Sequence, residues 1–407
     1  MNTDCIILGG GAAGLAACAQ LCGAGLRVTL IERLDRVGKK IMASGNGRCN
    51  ISNADMRPAL YGSSAPFVSR MYAQTPPEEV LAFFSALGLM TAQEDSRLYP
   101  RTMMASSVLD VLRMGCESAD LRTGQRAVSL TPSRRGGWCV QLADGTGVFA
   151  PTVLCAMGGS AAPHLGTDGD GTHLLHALGH SVTPLYPALV QLKCNHSALR
   201  SLKGVRVQAE LTLEIDQAAS AQERGELLFT DYGVSGVCVF QLSGAAACAL
   251  AARKRVRLLV NLLPELDAPS AWLDARISAR PGVSAQALFV GVFPRLLALA
   301  VLKQASIHPE TQACALSPAD RAALAQAISA FPLPVTGTQG FAHAQVTGGG
   351  ISLDEIDPNT MASRLFDGLY IAGEALDVNG PCGGYNLHFA FASGLTAAKA
   401  IAARLRA

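Results

Sequence analysis

The feature that most constrains this chain is its beginning, where a glycine-rich turn joins a short apolar segment to an alanine-rich one. The turn has the spacing GxGxxG over residues 9–14, and it follows the apolar run Cys5–Leu8. A second apolar run, Val28–Ile31, ends at Glu32. We expect a strand, a tight turn, a helix and a parallel strand, which is the unit that holds a dinucleotide. A GxGxxG turn alone is a weak signal, but here each neighbouring element follows in the expected order.

Each position in this unit has a physical role. Gly9 permits the turn, Gly11 lets the backbone approach a pyrophosphate, and Gly14 lets the helix pack closely on the strand. The helix start offers unpaired N–H groups to the phosphates. Glu32 stands 18 residues after Gly14 (32 − 14), where a carboxylate accepts hydrogen bonds from ribose hydroxyls. An acidic residue there favours an unphosphorylated ribose, so FAD or NAD fits better than NADP.

Composition describes a well-buried globular protein of two or three domains. The chain has 407 residues, of which 49% are hydrophobic and 16% are charged. The net charge of +2 predicts no strong electrostatic field, so neither nucleic acid nor an anionic membrane is an expected partner. The basic runs Arg134–Arg135 and Arg253–Lys254–Arg255 are short and are interpreted as solvated charges.

The mean hydropathy of +0.27 is high enough to require a search for membrane spans. The best candidates, residues 236–252 and 288–302, are interrupted by polar residues or proline. Neither offers the roughly 20 apolar residues that cross a bilayer. No charged segment precedes the first strand, so we expect no secretory signal and a cytoplasmic protein.

Cysteine usage predicts buried thiols and no metal site. The twelve cysteines form no CxxC pair, and no His, Cys and Asp residues have zinc-like spacing. Cys18 and Cys22 lie four residues apart, on one face of the first helix. In a cytoplasmic protein such residues are small buried hydrophobes.

The segment after Glu32, residues 33–53, is too rich in glycine and asparagine to be one regular element. Its basic residues include Arg36, Lys39, Lys40 and Arg48. In a dinucleotide fold this segment lies beside the open edge of the pyrophosphate, where backbone N–H groups and cations can close over the phosphates. A surface loop is the plainer interpretation, but loops of this length in compact domains are usually functional.

The middle of the chain contains an insertion. We predict helices over 76–89 and 105–118, and an antiparallel meander over 126–131, 138–142 and 148–155. An inserted domain begins near residue 190, with strands over 189–194, 205–215 and 256–262 and helical segments over 285–302 and 317–330. Its turn-rich segment 228–236 could face a substrate. We predict one cofactor-binding domain in two parts, residues 1–189 and 341–407, and an inserted β-rich and helical substrate domain over residues 190–340.

The C-terminal region repeats the pattern of a strand, a turn and a helix start. Leu369–Ala372 is a short apolar strand, and Gly383-Gly384 precedes a closing helix over 387–404. Two such sites at the two chain ends suit an extended cofactor, with phosphates at one helix and an isoalloxazine at the other. N–H groups at the second helix start can stabilise negative charge on a reduced flavin. The sequence therefore favours FAD over NAD.

Six segments together resemble the BaiN-like flavoproteins, also described as aminoacetone-oxidase-like, within the FAD-dependent glutathione-reductase-type superfamily. They are GGGAAG at 9–14, SGNGRCN at 44–50, LFTDYGVSG at 228–236, VTGGG at 346–350, GEALDVNG at 373–380 and GGYN at 383–386. The resemblance spans nearly the whole chain, and its SGxGRCN block is specific. It implies an α/β fold with a Rossmann-like FAD-binding domain built from both chain ends, an inserted β-rich domain and a small helical subdomain.

The resemblance also implies non-covalent FAD and a set of binding residues. By this resemblance, the 9–14 turn binds the pyrophosphate and Glu32 binds the ribose. Lys40 and residues 44–50 bind the phosphates and the flavin, and Val128 contacts the adenine through its backbone. Glu374 and Asp377 lie near the ribityl chain and residues 384–387 near the pyrimidine ring. The residues predicted to bind the cofactor are Gly9, Gly11, Ala12, Ala13, Gly14, Glu32, Arg33, Gly38, Lys40, Ser44, Gly45, Gly47, Arg48, Cys49, Asn50, Val128, Ala156, Met157, Gly158, Gly373, Glu374, Asp377, Gly383, Gly384, Tyr385, Asn386 and Leu387.

Two residues depart from the family pattern. Met157 stands where such strands usually end Ala-Thr-Gly, so a hydroxyl contact is lost there. Asp231 stands where a histidine is expected in the 228–236 segment, which leaves the substrate contacts open.

With a flavin bound, the flavin N5 carries the hydride and protein groups supply orientation and protons. No dedicated catalytic acid is evident; the candidates near the flavin are Arg48, Cys49, Tyr385 and His388. Each has a plainer interpretation, because Arg48 can hold a phosphate or a loop and the other three can simply be packed. Cys49 has no CxxC partner, so disulfide-reductase chemistry is not expected.

Three functions remain open from the sequence. The first is an NAD(P)H-linked reductase of an apolar conjugated small molecule, towards which the resemblance points through steroid or bile-acid-like enones. The second is a flavin amine oxidase of the aminoacetone-oxidase type, and the third is flavin-dependent RNA modification. No second GxGxxG unit is found, since Gly166, Gly169 and Gly171 have the wrong spacing. NADH or NADPH must therefore visit transiently, or a partner protein must supply electrons.

Overall fold

A computed structural model describes residues 3–133 and 136–407 of the chain, so the predicted basic run at Arg134–Arg135 lies outside the described residues. The chain forms two compact units. The first combines residues up to Tyr186 with Val346–Ala407, and the second is Pro187–Gln345. The first unit is therefore built from both chain ends, and its bounds fall near the predicted ones at 189/190 and 340/341.

The elements are numbered in chain order. The strands are β1 Cys5–Leu8, β2 Val28–Ile31, β3 Ser52–Asn53, β4 Thr91–Glu94, β5 Arg97–Pro100, β6 Asp120–Arg122, β7 Ala127–Pro132, β8 Trp138–Leu142, β9 Gly147–Ala150, β10 Thr152–Cys155, β11 Tyr186–Ala188, β12 Leu192–Cys194, β13 Arg206–Ile215, β14 Ala218–Phe229, β15 Gly233–Ser235, β16 Val256–Asn261, β17 Phe331–Thr338, β18 Val346–Gly348 and β19 Leu369–Ile371. The helices are α1 Ala12–Gly23, α2 Lys39–Ala43, α3 Ala65–Gln74, α4 Pro77–Ala86, α5 Ala105–Gly115, α6 Asp170–Leu178, α7 Leu199–Leu202, α8 Val237–Ala251, α9 Pro269–Ala279, α10 Arg295–Gln304, α11 Pro318–Ser329 and α12 Tyr385–Arg406.

A parallel sheet with the order β19-β10-β1-β2-β6 forms the centre of the first unit. All four residues of β1 are buried, as expected for a strand covered on both faces. Helices α1 and α12 pack against each other beside this sheet. Their approach requires glycine, because a Cβ on Gly394 would lie only 2.3 Å from the Ala13 carbonyl oxygen. The predicted fold class is confirmed.

Two small antiparallel sheets complete the first unit, with the orders β7-β8-β9 and β3-β5-β4. The prediction of one meander strand over 148–155 is wrong. That stretch is two strands, because the chain leaves the meander at Ala150 and enters the parallel sheet at Thr152. Pro151 between them has no N–H to donate, so the meander ladder cannot continue through it.

In the second unit, six strands form a closed barrel in the order β12-β15-β14-β13-β16-β17. Alternate residues of β13, Ala209, Leu211 and Leu213, are buried in the hydrophobic core of this unit. Helix α8 packs on β14 and β13, and α9, α10 and α11 form the helical part. The predicted helical segment 285–302 contains a 3₁₀ turn at Ala287–Phe289 and then α10, which begins after Pro294.

The apolar segments that required a membrane search belong to this core. Residues Cys238, Val239 and Leu242 of α8 are buried in the hydrophobic cluster of the second unit. Among the helices of the described chain, none combines the length and the apolar character that a membrane crossing needs.

Candidate cofactor site

The GxGxxG turn joins β1 to α1 with the geometry that each glycine was predicted to allow. Gly9 has φ +99°, and a Cβ there would lie 2.4 Å from the Ala156 carbonyl oxygen. A Cβ on Gly14 would lie 1.9 Å from the Gly9 carbonyl oxygen. A Cβ on Gly11, in contrast, would meet nothing within 4 Å. The first and third glycines are thus required by the packing, whereas the second leaves open space at the start of α1.

The charges around this open space suit an anionic ligand. Helix α1 begins after Gly11 with no side-chain cap and no acidic residue in its first turn, within the described residues. Its first N–H groups therefore lack the usual capping acceptor. At the end of β2, the buried Glu32 carboxylate accepts the N–H groups of Gly10 and Leu34, each at 2.8 Å. These bonds fix the carboxylate, and each of its oxygens retains a further lone pair for a ribose hydroxyl.

The end of β19 lies directly against α1. Gly373 has φ +73°, and a Cβ there would lie 3.0 Å from the Ala13 Cβ. Its N–H donates to the Ser393 hydroxyl of α12 at 3.0 Å. The N-terminal and C-terminal halves of the predicted site are therefore adjacent in the folded chain.

The start of α12 is held by the strand segment around β3. Its preceding residue, Gly384, has φ +101°, and a Cβ there would lie 2.6 Å from the Ser52 carbonyl oxygen and 2.9 Å from Asn50 Oδ1. The Asn53 amide nitrogen donates to the Gly383 carbonyl at 2.9 Å. Within the described residues, α12 also begins without a side-chain cap or an acid in its first turn. The two helix starts thus share the same uncapped form.

The other predicted residues of this start have structural partners. The Asn386 side chain accepts the Gly380 N–H and donates to the Gly380 carbonyl, at 2.8 and 2.9 Å. Leu387 packs partly buried against the hydrophobic core of the first unit. These contacts fix the first turn of α12 relative to the glycine-rich segment before it.

A network of polar contacts joins Lys40 to Glu374, to the VTGGG segment and to the loop after β10. The Lys40 ammonium lies 2.7 Å from Glu374 Oε2 and donates to the Ala161 carbonyl at 3.3 Å. The other carboxylate oxygen accepts the N–H and the hydroxyl of Thr347, at 3.0 and 2.8 Å. The Thr347 hydroxyl in turn accepts the N–H groups of Ser160 and Ala161, at 2.8 and 2.9 Å.

Thr347 was missed as a site residue. Its only sequence signal was its place in the VTGGG segment, which assigned it no partner. The structure shows that it supplies a hydroxyl to the loop after β10, where Met157 cannot. Met157 itself packs against α6, since a Cβ on Gly171 would lie 2.7 Å from the Met157 Cβ.

Asp377 lies in a second polar cluster of the first unit. Its Oδ2 accepts the Thr183 hydroxyl at 2.9 Å, and its backbone carbonyl accepts the Ser64 hydroxyl at 2.8 Å. The Thr183 hydroxyl also accepts the Gly350 N–H at 2.9 Å. The carboxylate of Asp377 is thereby tied to the VTGGG segment.

The SGNGRCN segment contains several left-handed residues. Gly45 has φ 56° and Asn46 has φ 55°, and Cys49 follows with φ 57°. Such a run is strained for the non-glycine residues and is typical of functional segments. The Ser44 hydroxyl donates to the Ile41 carbonyl at 2.6 Å, which ties the segment to α2. Residues 45–47 are exposed.

Arg48 points towards the β4–β5 hairpin. Its guanidinium lies 2.6 Å from Glu94 Oε2 and 4.3 Å from the centre of the Tyr99 ring. The ion pair with Glu94 raises the pKa of Arg48 above its ordinary value. Burial raises the pKa of the neighbouring Cys49 to about 11, so this thiol stays protonated.

The two catalytic candidates on α12 differ in character. His388 is fully buried, neither ring nitrogen has a partner among the described residues, and burial lowers its pKa to about 3. Its ring packs edge-on against Tyr72, with ring centres 5.8 Å apart. Tyr385 packs edge-on against Tyr61, and burial raises the pKa of its hydroxyl. His388 is thus a neutral imidazole, and Tyr385 a protonated phenol.

Arg33 and Gly38 follow β2, in the segment after Glu32. Arg33 pairs with Asp168, lies 3.4 Å from Asp170 and donates to the Gly166 carbonyl at 3.1 Å. Gly38 has φ +74°, and a Cβ there would meet a Leu109 methyl at 2.2 Å.

Val128 lies on the meander at a bulge. The β7–β8 register passes from Ala127 opposite Leu142 to Ser129 opposite Gln141, so Val128 is skipped. Its side chain is 46% exposed. A skipped residue in a ladder presents its backbone groups to other partners, which suits the predicted contact with adenine.

Asp231, the departure in the 228–236 segment, lies in the second unit. It occupies the turn between β14 and β15, where its exposed carboxylate pairs with Lys203 at 2.8 Å. This ion pair lowers the pKa of Asp231.

The residues of the first unit fit FAD. An extended cofactor with a pyrophosphate and a flavin needs two anion-stabilising helix starts, open space for the phosphates and a carboxylate for the ribose. The first unit supplies these with α1, α12, the gap at Gly11 and Glu32. It also holds a buried acceptor with no partner among the described residues, Asn50 Oδ1.

Residues 3–133 and 136–407 contain no cluster of three or more His, Cys, Asp or Glu side chains that could hold a metal. The twelve cysteines all lie in these ranges, and no disulfide joins any of them.

Comparison with known proteins identifies the family to which this fold belongs. The model of the HI0933-like protein Rossmann domain matches residues 3–400. The 3-dehydro-bile acid delta(4,6)-reductase of Clostridium scindens is 37% identical over 405 residues, which cover 98% of each chain. The ribosomal RNA dihydrouridine synthase of Escherichia coli K12 is 30% identical over 396 residues, which cover 96% of each chain.

A solved structure shares the fold. The 3-ketosteroid delta1-dehydrogenase of Sterolibacterium denitrificans superposes with a TM-score of 0.53 at 13% identity, over 99% of this chain and 100% of that one. The cradle for FAD and these likenesses agree on the class of enzyme. The protein is an FAD-dependent oxidoreductase that belongs to the family of HI0933-like proteins.

Proposed function

We propose that this enzyme reduces a carbon–carbon double bond conjugated with a carbonyl group in an apolar, steroid-like small molecule. The observation that carries the proposal is the 37% identity to the bile acid reductase over 98% of both chains, which includes the inserted unit. In that relative's name, "3-dehydro" denotes a ketone and "delta(4,6)" denotes double bonds conjugated with it. NADH or NADPH is the proposed electron donor.

When bound, FAD would supply the two-electron chemistry of hydride transfer between a nicotinamide and the conjugated double bond. The residues of the chain hold the cofactor and its charge. The uncapped first turn of α12 presents N–H groups and the positive end of the helix dipole to developing negative charge. The Lys40–Glu374–Thr347 network fixes the segments on which the cofactor lies.

Saturation of the double bond also needs a proton, and the predicted donors differ in their ability to give one. His388 is neutral near pH 7, since burial lowers its pKa to about 3, so it has no imidazolium proton to give. Arg48 is held by Glu94, and that pair raises the pKa of the guanidinium. Tyr385 carries a hydroxyl proton in the first turn of α12, although burial raises the pKa of that hydroxyl. Cys49 is fully enclosed in the protein, so Tyr385 is the proposed donor among the four candidates.

Uridine reduction is the second candidate function. The observation that favours it is the 30% identity to the ribosomal RNA dihydrouridine synthase over 96% of both chains. The uracil double bond is also conjugated with a carbonyl, so the chemistry at the flavin would be similar. The substrates differ in charge, because RNA requires unpaired basic groups on the protein surface.

Four basic side chains of the second unit are paired with carboxylates, which weakens the attraction of these four for RNA phosphates. Arg206 pairs with Glu226, and Arg257 pairs with Glu214 across the barrel strands. Lys203 pairs with Asp231 and Arg321 with Asp274. These pairs cancel charge that RNA phosphates would otherwise attract.

An anaerobic two-step titration tests the proposal. The holoenzyme is mixed with NADH or NADPH, and the loss of visible flavin absorbance is followed. A 3-oxo steroid with double bonds at positions 4 and 6, or a uridine-containing ribosomal RNA fragment, is then added. The proposal expects rapid bleaching by a nicotinamide and re-oxidation by the steroid, with one carbon–carbon double bond of the steroid reduced for each flavin re-oxidised.

Other outcomes contradict it. Re-oxidation by the RNA fragment alone, with dihydrouridine as product, would assign the second function. Reduction of the flavin by an amine instead of a nicotinamide, with peroxide formed on admission of air, would assign the amine oxidase function.

A further inference from the structure

Asn50 lies at the start of α12 with a buried acceptor that has no partner. Its Oδ1 is shielded from solvent and accepts no hydrogen bond from the described residues. A buried amide oxygen without a donor costs about 1–3 kcal/mol, so native structures rarely keep one without a purpose. A ligand group that donates a hydrogen bond to Asn50 Oδ1 would remove this cost.

The surroundings of Asn50 locate its oxygen relative to the helix. A Cβ on Gly384 would lie 2.9 Å from Asn50 Oδ1, so the oxygen faces the residue that precedes the first turn of α12. Glycine with φ +101° is the residue that permits this approach. The neighbouring Asn53 is already occupied, since it donates to the Gly383 carbonyl at 2.9 Å.

The site therefore presents two kinds of group side by side. The uncapped start of α12 offers backbone N–H donors, and Asn50 offers an acceptor. The pyrimidine edge of a flavin carries the complementary pattern, with the N3–H donor between the O2 and O4 acceptors. A donor in the ligand is what the orphaned oxygen lacks.

We propose that Asn50 Oδ1 accepts a hydrogen bond from the N3–H of the bound flavin and so recognises the pyrimidine edge of the cofactor. The helix N–H groups face the adjacent carbonyl. No proton or electron is transferred in this contact, and it is independent of the substrate that the enzyme reduces. Asn50 thereby selects a flavin with a free N3–H.

Competition between FAD and N3-methyl-FAD tests the contact without catalysis. The flavin is removed, and the dissociation constant of each compound is measured by fluorescence titration of the apoprotein. The wild type is expected to bind FAD at least about tenfold more tightly than the methylated compound, because methylation removes the donor and leaves Oδ1 unpaired. In Asn50→Leu, this preference is expected to fall below about twofold.

Two further variants keep the test decisive. Asn50→Asp retains an acceptor and is expected to keep a preference of at least about fivefold for FAD. Asn359→Leu removes an exposed amide that bonds to Asp357 and has no part in the site, and it is expected to keep the wild-type preference. Circular dichroism of each apoprotein establishes that it is folded before the constants are compared.

The result that overturns the inference is a wild-type preference that survives in folded Asn50→Leu. Loss of the preference in Asn50→Asp would also overturn it, since an acceptor remains in that variant. A failure of the steroid reduction assay would leave these binding ratios untouched, so the two failures are distinguishable.

Discussion

At the scale of single residues, Glu32 carries the most specific prediction. Each oxygen of its carboxylate accepts one backbone N–H at 2.8 Å and keeps a further lone pair for a ribose hydroxyl. In Glu32→Gln the amide NH₂ must face one of those N–H donors, and one ribose acceptor is lost. We expect at least about tenfold weaker FAD binding, the equivalent of about 1.4 kcal/mol.

Fluorescence titration of the apoprotein with FAD measures this effect. Glu78→Gln, which changes an exposed carboxylate on α4, is the matched control. Equal dissociation constants for Glu32→Gln and the wild type would remove Glu32 from the site.

His388 carries a prediction on pH dependence. Burial lowers its pKa from 6.5 to about 3, so between these values the unfolded chain binds a proton that the folded chain excludes. Stability is therefore full above pH 6.5 and falls as the pH decreases, by up to about 1.4 kcal/mol per pH unit. In His388→Phe this contribution disappears, and the acid limb of the stability curve becomes shallower.

Denaturant unfolding of the apoprotein at pH values between 4 and 7 measures the difference. His343→Phe, a substitution of an exposed histidine, is expected to keep the wild-type slope. Parallel curves for His388→Phe and the wild type would show that His388 is not a buried neutral imidazole.

At the scale of elements, the sequence predicted those helices and strands that depend on residues close together in the chain. The βαβ unit is specified by apolar runs and glycine spacing within about 30 residues, and it forms as predicted. The barrel was not predicted, because β14 reads AASAQERGELLF and shows apolar character only at its end. Its remaining residues are held by pairing with β13, which is a tertiary contact that no local pattern reveals.

The residues of the candidate site also divide into those whose roles depend on nearby residues and those whose partners are distant in the chain. Motif glycines and Glu32 could be placed from spacing, since each role depends on a neighbour in the same turn or strand. The partners Lys40, Glu374 and Thr347 come from segments far apart in the chain. The sequence therefore predicted that Lys40 and Glu374 bind the cofactor, but it did not predict that they form an ion pair with each other.

The start of α12 gives a prediction at this scale. Gly384 and Gly179 both have left-handed backbone, with φ +101° and +118°. A Cβ on Gly384 would overlap the Ser52 carbonyl at 2.6 Å, whereas a Cβ on Gly179 would meet nothing within 4 Å. Alanine costs about 1–2 kcal/mol of backbone strain at either position, and overlap adds about 1–3 kcal/mol only at Gly384.

Denaturant unfolding of the two alanine variants isolates the overlap from the strain. Gly384→Ala is expected to lose the larger free energy of unfolding. Equal losses in the two variants would mean that α12 does not begin against β3 as described.

At the scale of the whole molecule, one cofactor site drawn from both chain ends predicts a pattern of protection. Hydrogen exchange measured with and without FAD is expected to slow in residues 9–14, 44–50 and 383–388 together. Strands β13 and β16, which pair within the barrel, are expected to exchange at unchanged rates. Protection confined to the N-terminal segment would contradict a shared site.

The measurement that tests the central claim most directly is FAD binding by Gly11→Ala. A Cβ at Gly11 meets no protein atom within 4 Å, so the folded chain accommodates it, but it would occupy space that the pyrophosphate needs. Gly23→Ala, at the other end of α1 and equally free of contacts, is the control. We predict wild-type unfolding for both variants, with FAD binding at least about tenfold weaker in Gly11→Ala alone. Unchanged FAD binding by Gly11→Ala would contradict the account.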